Sequence, residues 1–206
     1  IGPANVPNGI VFIQNAVGVA SDNVVHALHY SGSGSRSGGL MAFAATGGAG
    51  VVFSGNEVYD TDDAVILASN STNVTVEGNN FHDNGVGIQL ENGANNNTIT
   101  KNNITDSTIV GIRFDGASNP GGGSTPPGAG NVANRNNISG NAAGVVNYDV
   151  TPQIFDATCN WWGDVSGPSG SGPGIGDSVS TNATFQPWLT TSDLVSGPCD
   201  GPLTTL

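Results

Sequence analysis

Charge is what this 206-residue chain has least of. Asp, Glu, Lys and Arg together make up only 10% of it, and just four residues are basic: Arg36, Lys101, Arg113 and Arg135. Against them stand 16 acids, giving a net charge of −12. That balance argues against nucleic acid or an anionic membrane as a partner, and it fits a secreted protein, a cation-rich setting or calcium binding. No apolar run approaches membrane-spanning length, so no membrane insertion is expected. No window sustains apolar residues at i, i+3, i+4 and i+7, which removes helix as the organising element. No glycine-rich turn opens a helix to cradle phosphate. Cysteine is limited to Cys159 and Cys199. In an extracellular chain such a pair forms one disulfide, here closing a loop of about 40 residues; two buried free thiols are the alternative. Ile1 reads as a mature N-terminus or the start of an excised fragment.

What the chain has instead is an abundance of glycine and asparagine, arranged in a repeat. GNEVYDTDDAVIL, NNFHDNGVGIQL and NNITDSTIVGIRF superpose on apolar anchors Val58, Phe81 and Ile104, spaced 23 and 23. Ile138 follows at a spacing of 34, one period plus 11, and Trp161 at a further 23. Further apolar positions travel with each anchor: Phe53, Val76, Ile99 and Ala133 five before it, Val65 and Leu67 or Ile88 and Leu90 after it. Pairs two apart, such as Val74 and Val76, have the period of a strand. Short strands joined by Gly, Asn, Asp and Ser corners, repeated at this period, make one coil of a parallel β-helix. Coils stack roughly 4.8 Å apart, so residues one period apart fall into columns.

The columns separate roles. Asn56, Asn79, Asn102 and Asn136 form one series and Asn80, Asn103, Asn137 and Asn160 another; both are expected to point inward and bond coil to coil. Asp60, Asp83 and Asp106 form a third, with Asp62 and Asp63 beside the first of them. Carboxylates about 5 Å apart repel unless a cation lies between them, so this column is the candidate calcium site or acidic ladder. The competing expectation is that these aspartates point outward at a turn and are separately solvated. His82 falls between Tyr59 and Thr105 in an exposed column, and Lys101 stacks on Arg135.

The NN-hydrophobic rungs resemble the right-handed parallel β-helix repeats of pectin-degrading enzymes, alginate epimerases and periplasmic NosD-like proteins. CNWWGDVSGPSGSGPGIGDSVSTNATFQPWL is similar to the terminal rung of many secreted proteins of that group. The resemblance covers about residues 50–190. It implies an all-β, right-handed single-stranded parallel β-helix of roughly seven or eight rungs over residues 1–190, and a tail over 191–206. Residues 1–50 are expected to form irregular early rungs, 119–130 an inserted loop, and 159–190 a terminal rung capped by Trp161, Trp162, Phe185 and Trp188; an aromatic platform for sugar rings is the alternative for those four.

DTDDA resembles the Asp-Asp rung of polygalacturonase-like members, but their His-Gly rung and Arg-x-Lys clamp are missing, as is the DPHD signature of the epimerases. A lyase would have only Arg113 or the Lys101–Arg135 pair as its base. Sequons at Asn70, Asn73, Asn96 and Asn182 sit at turns and are the glycosylation candidates; Asn103 and Asn137, read as inward, are poor acceptors. The expected role is an extracellular structural or adhesive module that self-associates end to end or through its tail. The alternative is a carbohydrate-active protein: a glycan-binding module, or a lyase, hydrolase or epimerase.

Overall fold

The computed structural model of the chain describes residues 5–32, 34–114, 125–148 and 154–201. Its strands wind into seven coils. Coil 1 holds β1 (Ile10–Ile13), β2 (Gly18–Ser21) and β3 (Val24–Leu28), and coil 2 holds β4 (Gly38–Phe43), β5 (Val51–Ser54) and β6 (Glu57–Thr61). Coil 3 is β7 (Asp63–Ala68), β8 (Thr75–Glu77) and β9 (Asn80–His82); coil 4 is β10 (Val86–Leu90), β11 (Thr98–Thr100) and β12 (Asn103–Thr105). Coil 5 is β13 (Val110–Phe114), β14 (Val132–Asn134) and β15 (Asn137–Ser139), and coil 6 is β16 (Val145–Asn147) and β17 (Phe155–Asp156). Coil 7 closes with β18 (Pro168–Gly170), β19 (Gly176–Val179) and β20 (Ala183–Thr184).

Every strand pair is parallel, and the strands stack into three sheets. The long sheet is β1-β4-β7-β10-β13-β16-β19-β18, the second β2-β5-β8-β11-β14-β17-β20, and the short one β15-β12-β9-β6-β3. This is a right-handed parallel β-helix. Its core is a set of inward columns. Phe53, Val76, Ile99 and Ala133 stack in the second sheet, and Val58, Phe81, Ile104 and Ile138 in the short one. All eight are fully buried. Where the long sheet meets the short one, a column of small residues keeps the backbones close. A Cβ on Gly87 would lie 2.4 Å from the Gly111 carbonyl oxygen and 2.5 Å from Ile104 Cγ2.

The inward asparagines form a directional ladder. Each side-chain oxygen accepts both the backbone N–H and the Nδ2–H of the asparagine one coil earlier, from Asn23 through Asn56, Asn79, Asn102 and Asn136 to Asn160. Each amide from Asn56 to Asn136 also bonds a carbonyl of the second sheet, so corner backbone that water cannot reach is satisfied. Shorter ladders, Asn97–Asn131 and Asn141–Asp177, hold the other two corners.

Two columns differ in the structure from what spacing alone assigns. Trp161 pairs with Asn137, not with Ile138, because the ladder step from Asn136 to Asn160 is one residue longer than the period. The one-residue difference exchanges faces: Asn160 joins the buried ladder and Trp162 takes the inward anchor position. The second asparagine series is then Asn80, Asn103 and Asn137 on the outer face, none of them buried. Asn103 and Asn137 are therefore not ladder residues.

The early coils are regular in pairing, with β1 matched to β4 over four residues, but their corners are longer. Of the 119–130 segment, 119–124 lies outside the described residues. Residues 125–130 rejoin coil 4, where Asn92 and Gly93 donate their N–H groups to the carbonyls of Thr125 and Pro126.

Candidate functional site

The chain leaves the repeat between β3 and β4, and this segment folds over the outer face of the long sheet. Asp62 fastens it, accepting from the Tyr30 N–H at 2.9 Å, the Ser37 N–H at 3.0 Å and the Ser37 hydroxyl at 2.9 Å. Partial burial pushes the Asp62 pKa up, but these hydrogen bonds outweigh it and hold the carboxyl below its ordinary range. His29 lies 3.0 Å from Asp60 and 3.4 Å from Asp62. Arg36, inside the segment, puts Nε on both oxygens of Asp63 at 3.0 and 2.8 Å and donates from Nη2 to the Asp62 carbonyl at 2.7 Å.

The Asp63 side chain is 0% exposed. Burial raises its pKa to about 6, against the pull of the Arg36 hydrogen bond and charge and of the more distant Arg113. Its register partners in the long sheet are Gly38 and Val86, and Val110 follows one coil on. Beside it opens a cleft of about 320 Å³, walled by Arg36, Asp63, Gln89 and Glu91 on the polar side and Met41, Phe43 and Ile66 on the apolar side. Phe43 is 45% exposed. Gln89 accepts from Arg113 Nη2 of the next coil and donates to Glu91 in its own, so the floor of the cleft is fixed by side-chain bonds.

Asp60, Asp83 and Asp106 do stack in one column, each at a left-handed corner with φ of 54°, 54° and 55°. All three are exposed, and their partners differ. Asp60 faces His29, and Asp83 lies 2.8 Å from His82. Asp63 lines the cleft instead, and Asp62 holds the segment before β4 and shares His29 with Asp60. Among the described residues no three His, Cys, Asp or Glu side chains converge as a metal would require, so the five aspartates read from spacing as a calcium site are not brought together as one.

On the outer face of the short sheet His26, Tyr59 and His82 stack ring on ring, with centroids 4.9 and 5.2 Å apart and planes within 8°. The hydrogen bond that Asp83 accepts from His82, with help from Glu57, raises the His82 pKa. Because these rings cover one another's faces, they offer edges rather than a platform to a ligand.

Lys101 and Arg135 stack as the spacing required, at a corner away from the cleft, and Arg135 donates to the carbonyls of Val195 and Gly197 in the tail. Cys159 and Cys199 form a disulfide that pins this tail to coil 6. Trp162 and Trp188 are fully buried, and Trp188 Nε1 donates to the Val165 carbonyl. Phe185 is half-buried 6.4 Å from Trp188, and Trp161 is half-exposed in the outer column of Asn137. Asn70, Asn73 and Asn96 are exposed at left-handed corners, whereas Asn182 is half-buried and its carbonyl accepts from Asn147.

The cleft residues Gln89 and Glu91 gave no sign in the sequence. The clue available was Arg36, a lone cation in a Gly/Ser segment, within reach of the adjacent carboxylates Asp62 and Asp63.

No curated protein and no solved structure matches the chain. A family profile described as right handed beta helix region matches residues 5–121. The match takes in the first two coils, which the repeat period left irregular, and it spans more than half of the sequence. With three stacked parallel sheets and that match, the chain belongs to the right-handed β-helix family.

Proposed function

We propose that this chain is an extracellular adhesive module whose cleft on the long sheet holds a saccharide. The observation that carries this reading is the Arg36–Asp63 pair with its fully buried carboxylate, set in a concave site that combines fixed polar groups with an exposed Phe43 ring. Small-ligand sites are of this kind, apolar surface with a few well-placed polar groups and volumes from ~300 to ~1,000 Å³. The Cys159–Cys199 disulfide supports a secreted location. Binding is favoured over turnover because hydrolysis needs one carboxyl free to give a proton and a second placed across the bond, whereas Asp63 is locked onto Arg36. Titration calorimetry against a panel of oligosaccharides tests the reading; heats that persist unchanged in Phe43→Ala and Gln89→Ala proteins would place binding elsewhere and remove it.

A second reading, self-association, rests on the two ends of the coil. The C-terminal end is closed by Trp188, the tail and the disulfide. Among the described residues the three strands of coil 1 are the edges of their sheets, and Val17, Val19 and Val24 are 51%, 63% and 61% exposed. Pairing through these edges would join molecules in pairs at coil 1 rather than in fibres. Sedimentation equilibrium distinguishes these outcomes, and a protein that stays monomeric across the whole accessible concentration range would count against association.

A further inference from the structure

We infer that the cleft selects neutral sugars over uronic acids, an inference that rests on the cleft being the saccharide site. Its charges are already matched. Arg36 lines the cleft together with two carboxylates, Asp63 and Glu91, and a second guanidinium, Arg113, is buried behind it and bonded to Gln89. Arg36 commits Nε to both Asp63 oxygens and Nη2 to the Asp62 carbonyl, and Arg113 Nη2 is given to Gln89. A uronate carboxylate entering this space would meet Asp63 and Glu91 and no guanidinium free of an existing anion or carbonyl. The other two cations are remote: Lys101 and Arg135 occupy a different corner, and Arg135 holds the tail.

The long-range field points the same way. At a net charge of −12 the protein repels a polyanion before contact, and the repulsion strengthens as salt is lowered. The remaining lining suits uncharged hydroxyls. Ser35, Gln89, Asn8 and Asn92 bring hydroxyl and amide groups, and Phe43 with Met41 offers an apolar surface for the C–H face of a ring.

The charge balance also gives the test. Neutralising one acid, as Asp63→Asn or the more exposed Glu91→Gln, removes one of the two negative charges that line the cleft with Arg36 and should turn the preference round. Affinities for neutral disaccharides (cellobiose, maltose, mannobiose) and for digalacturonate are measured by calorimetry at low salt on the intact disulfide-bonded chain. The wild type should bind at least one neutral disaccharide at least tenfold more tightly than digalacturonate. Each variant should shift that ratio at least tenfold toward the uronate, and Glu91→Gln answers the question should Asp63→Asn fail to fold. Equal or tighter uronate binding by the wild type overturns the inference and leaves the saccharide site standing. An unchanged ratio in a folded variant overturns it as well. Absence of any saccharide binding removes the underlying site instead.

Discussion

Asn102 and Asn103 are neighbours in sequence and opposites in structure, so alanine at each measures what the ladder contributes. The Asn102 side chain is fully buried. It accepts from the N–H and Nδ2 of Asn79 at 3.0 and 2.9 Å and donates to the Val76 carbonyl and Asn136 Oδ1, both at 2.9 Å. Asn102→Ala therefore strands the buried N–H of Asn79, takes one acceptor from its Nδ2 and removes the side-chain donor from the Val76 carbonyl. An orphaned buried polar group costs about 1–3 kcal/mol, and the amides of Asn79 and Asn136 each retain other bonds, so a net loss of about 3–5 kcal/mol is expected. Asn103 is exposed, and its side-chain oxygen accepts a long 3.4 Å hydrogen bond from Asn137 Nδ2. Asn103→Ala should change stability by less than about 0.5 kcal/mol. Urea unfolding of both variants, followed by far-ultraviolet circular dichroism, makes the comparison. Equal unfolding midpoints for the two variants would mean that the ladder is satisfied by water or by its neighbours and contributes nothing of its own.

Asp63 gives a pH dependence whose sign is opposite to that of an ordinary paired carboxylate. Its pKa is about 6 folded against 3.8 unfolded, so the folded state binds the extra proton between these values and stability from this group rises as pH falls. From pH 7 to pH 5 the wild type should gain on the order of 1 kcal/mol relative to Asp63→Asn, read from paired unfolding curves. Opening the Cys159–Cys199 bridge, which spans 40 residues, should cost about 4 kcal/mol on the chain-entropy account. Because Gly201 and the tail lie on Trp188, a Cys199→Ser protein should also show red-shifted tryptophan emission, and unaltered emission would mean that the tail stays docked without the bridge.

The sequence disclosed the repeat because each coil solves the same problem, satisfying corner backbone while burying three short apolar faces. Phe53–Val76–Ile99 and Val58–Phe81–Ile104 could be stacked by counting alone. Counting failed where an interval changed length. The longer step from Asn136 to Asn160 moved every side chain to the other face, so Trp162 rather than Trp161 entered the core. In the first coils the same ladder runs from Asn23 to Asn56, 33 residues apart, because the corner between them carries the segment that walls the cleft. The aspartate column keeps its register without forming a cluster. Spacing fixes which residues stack, but the left-handed backbone at Asp60, Asp83 and Asp106 decides where the carboxylates point.

The cleft is where the chain departs from what its own repeat favours. At the position of Asp63 the next two coils place Val86 and Val110. A buried carboxylate there carries a desolvation cost that the Arg36 bonds only partly offset, as the raised pKa indicates. A scaffold selected for rigidity alone would have no use for it. The double variant Asp63→Val with Arg36→Met restores the pattern of the following coils and removes both charges together. Buried ion pairs replaced in this way commonly leave stability unchanged or raise it by about 1–4 kcal/mol, so the double variant should unfold no earlier than the wild type in urea. It should also lose saccharide binding by calorimetry. Reduced stability together with intact binding would identify the pair as a structural clamp for residues 29–37. Retained stability with lost binding would mean that the pair is kept for the ligand, and that the interruption of the β-helix holding this buried charge is the part of the molecule that does its work.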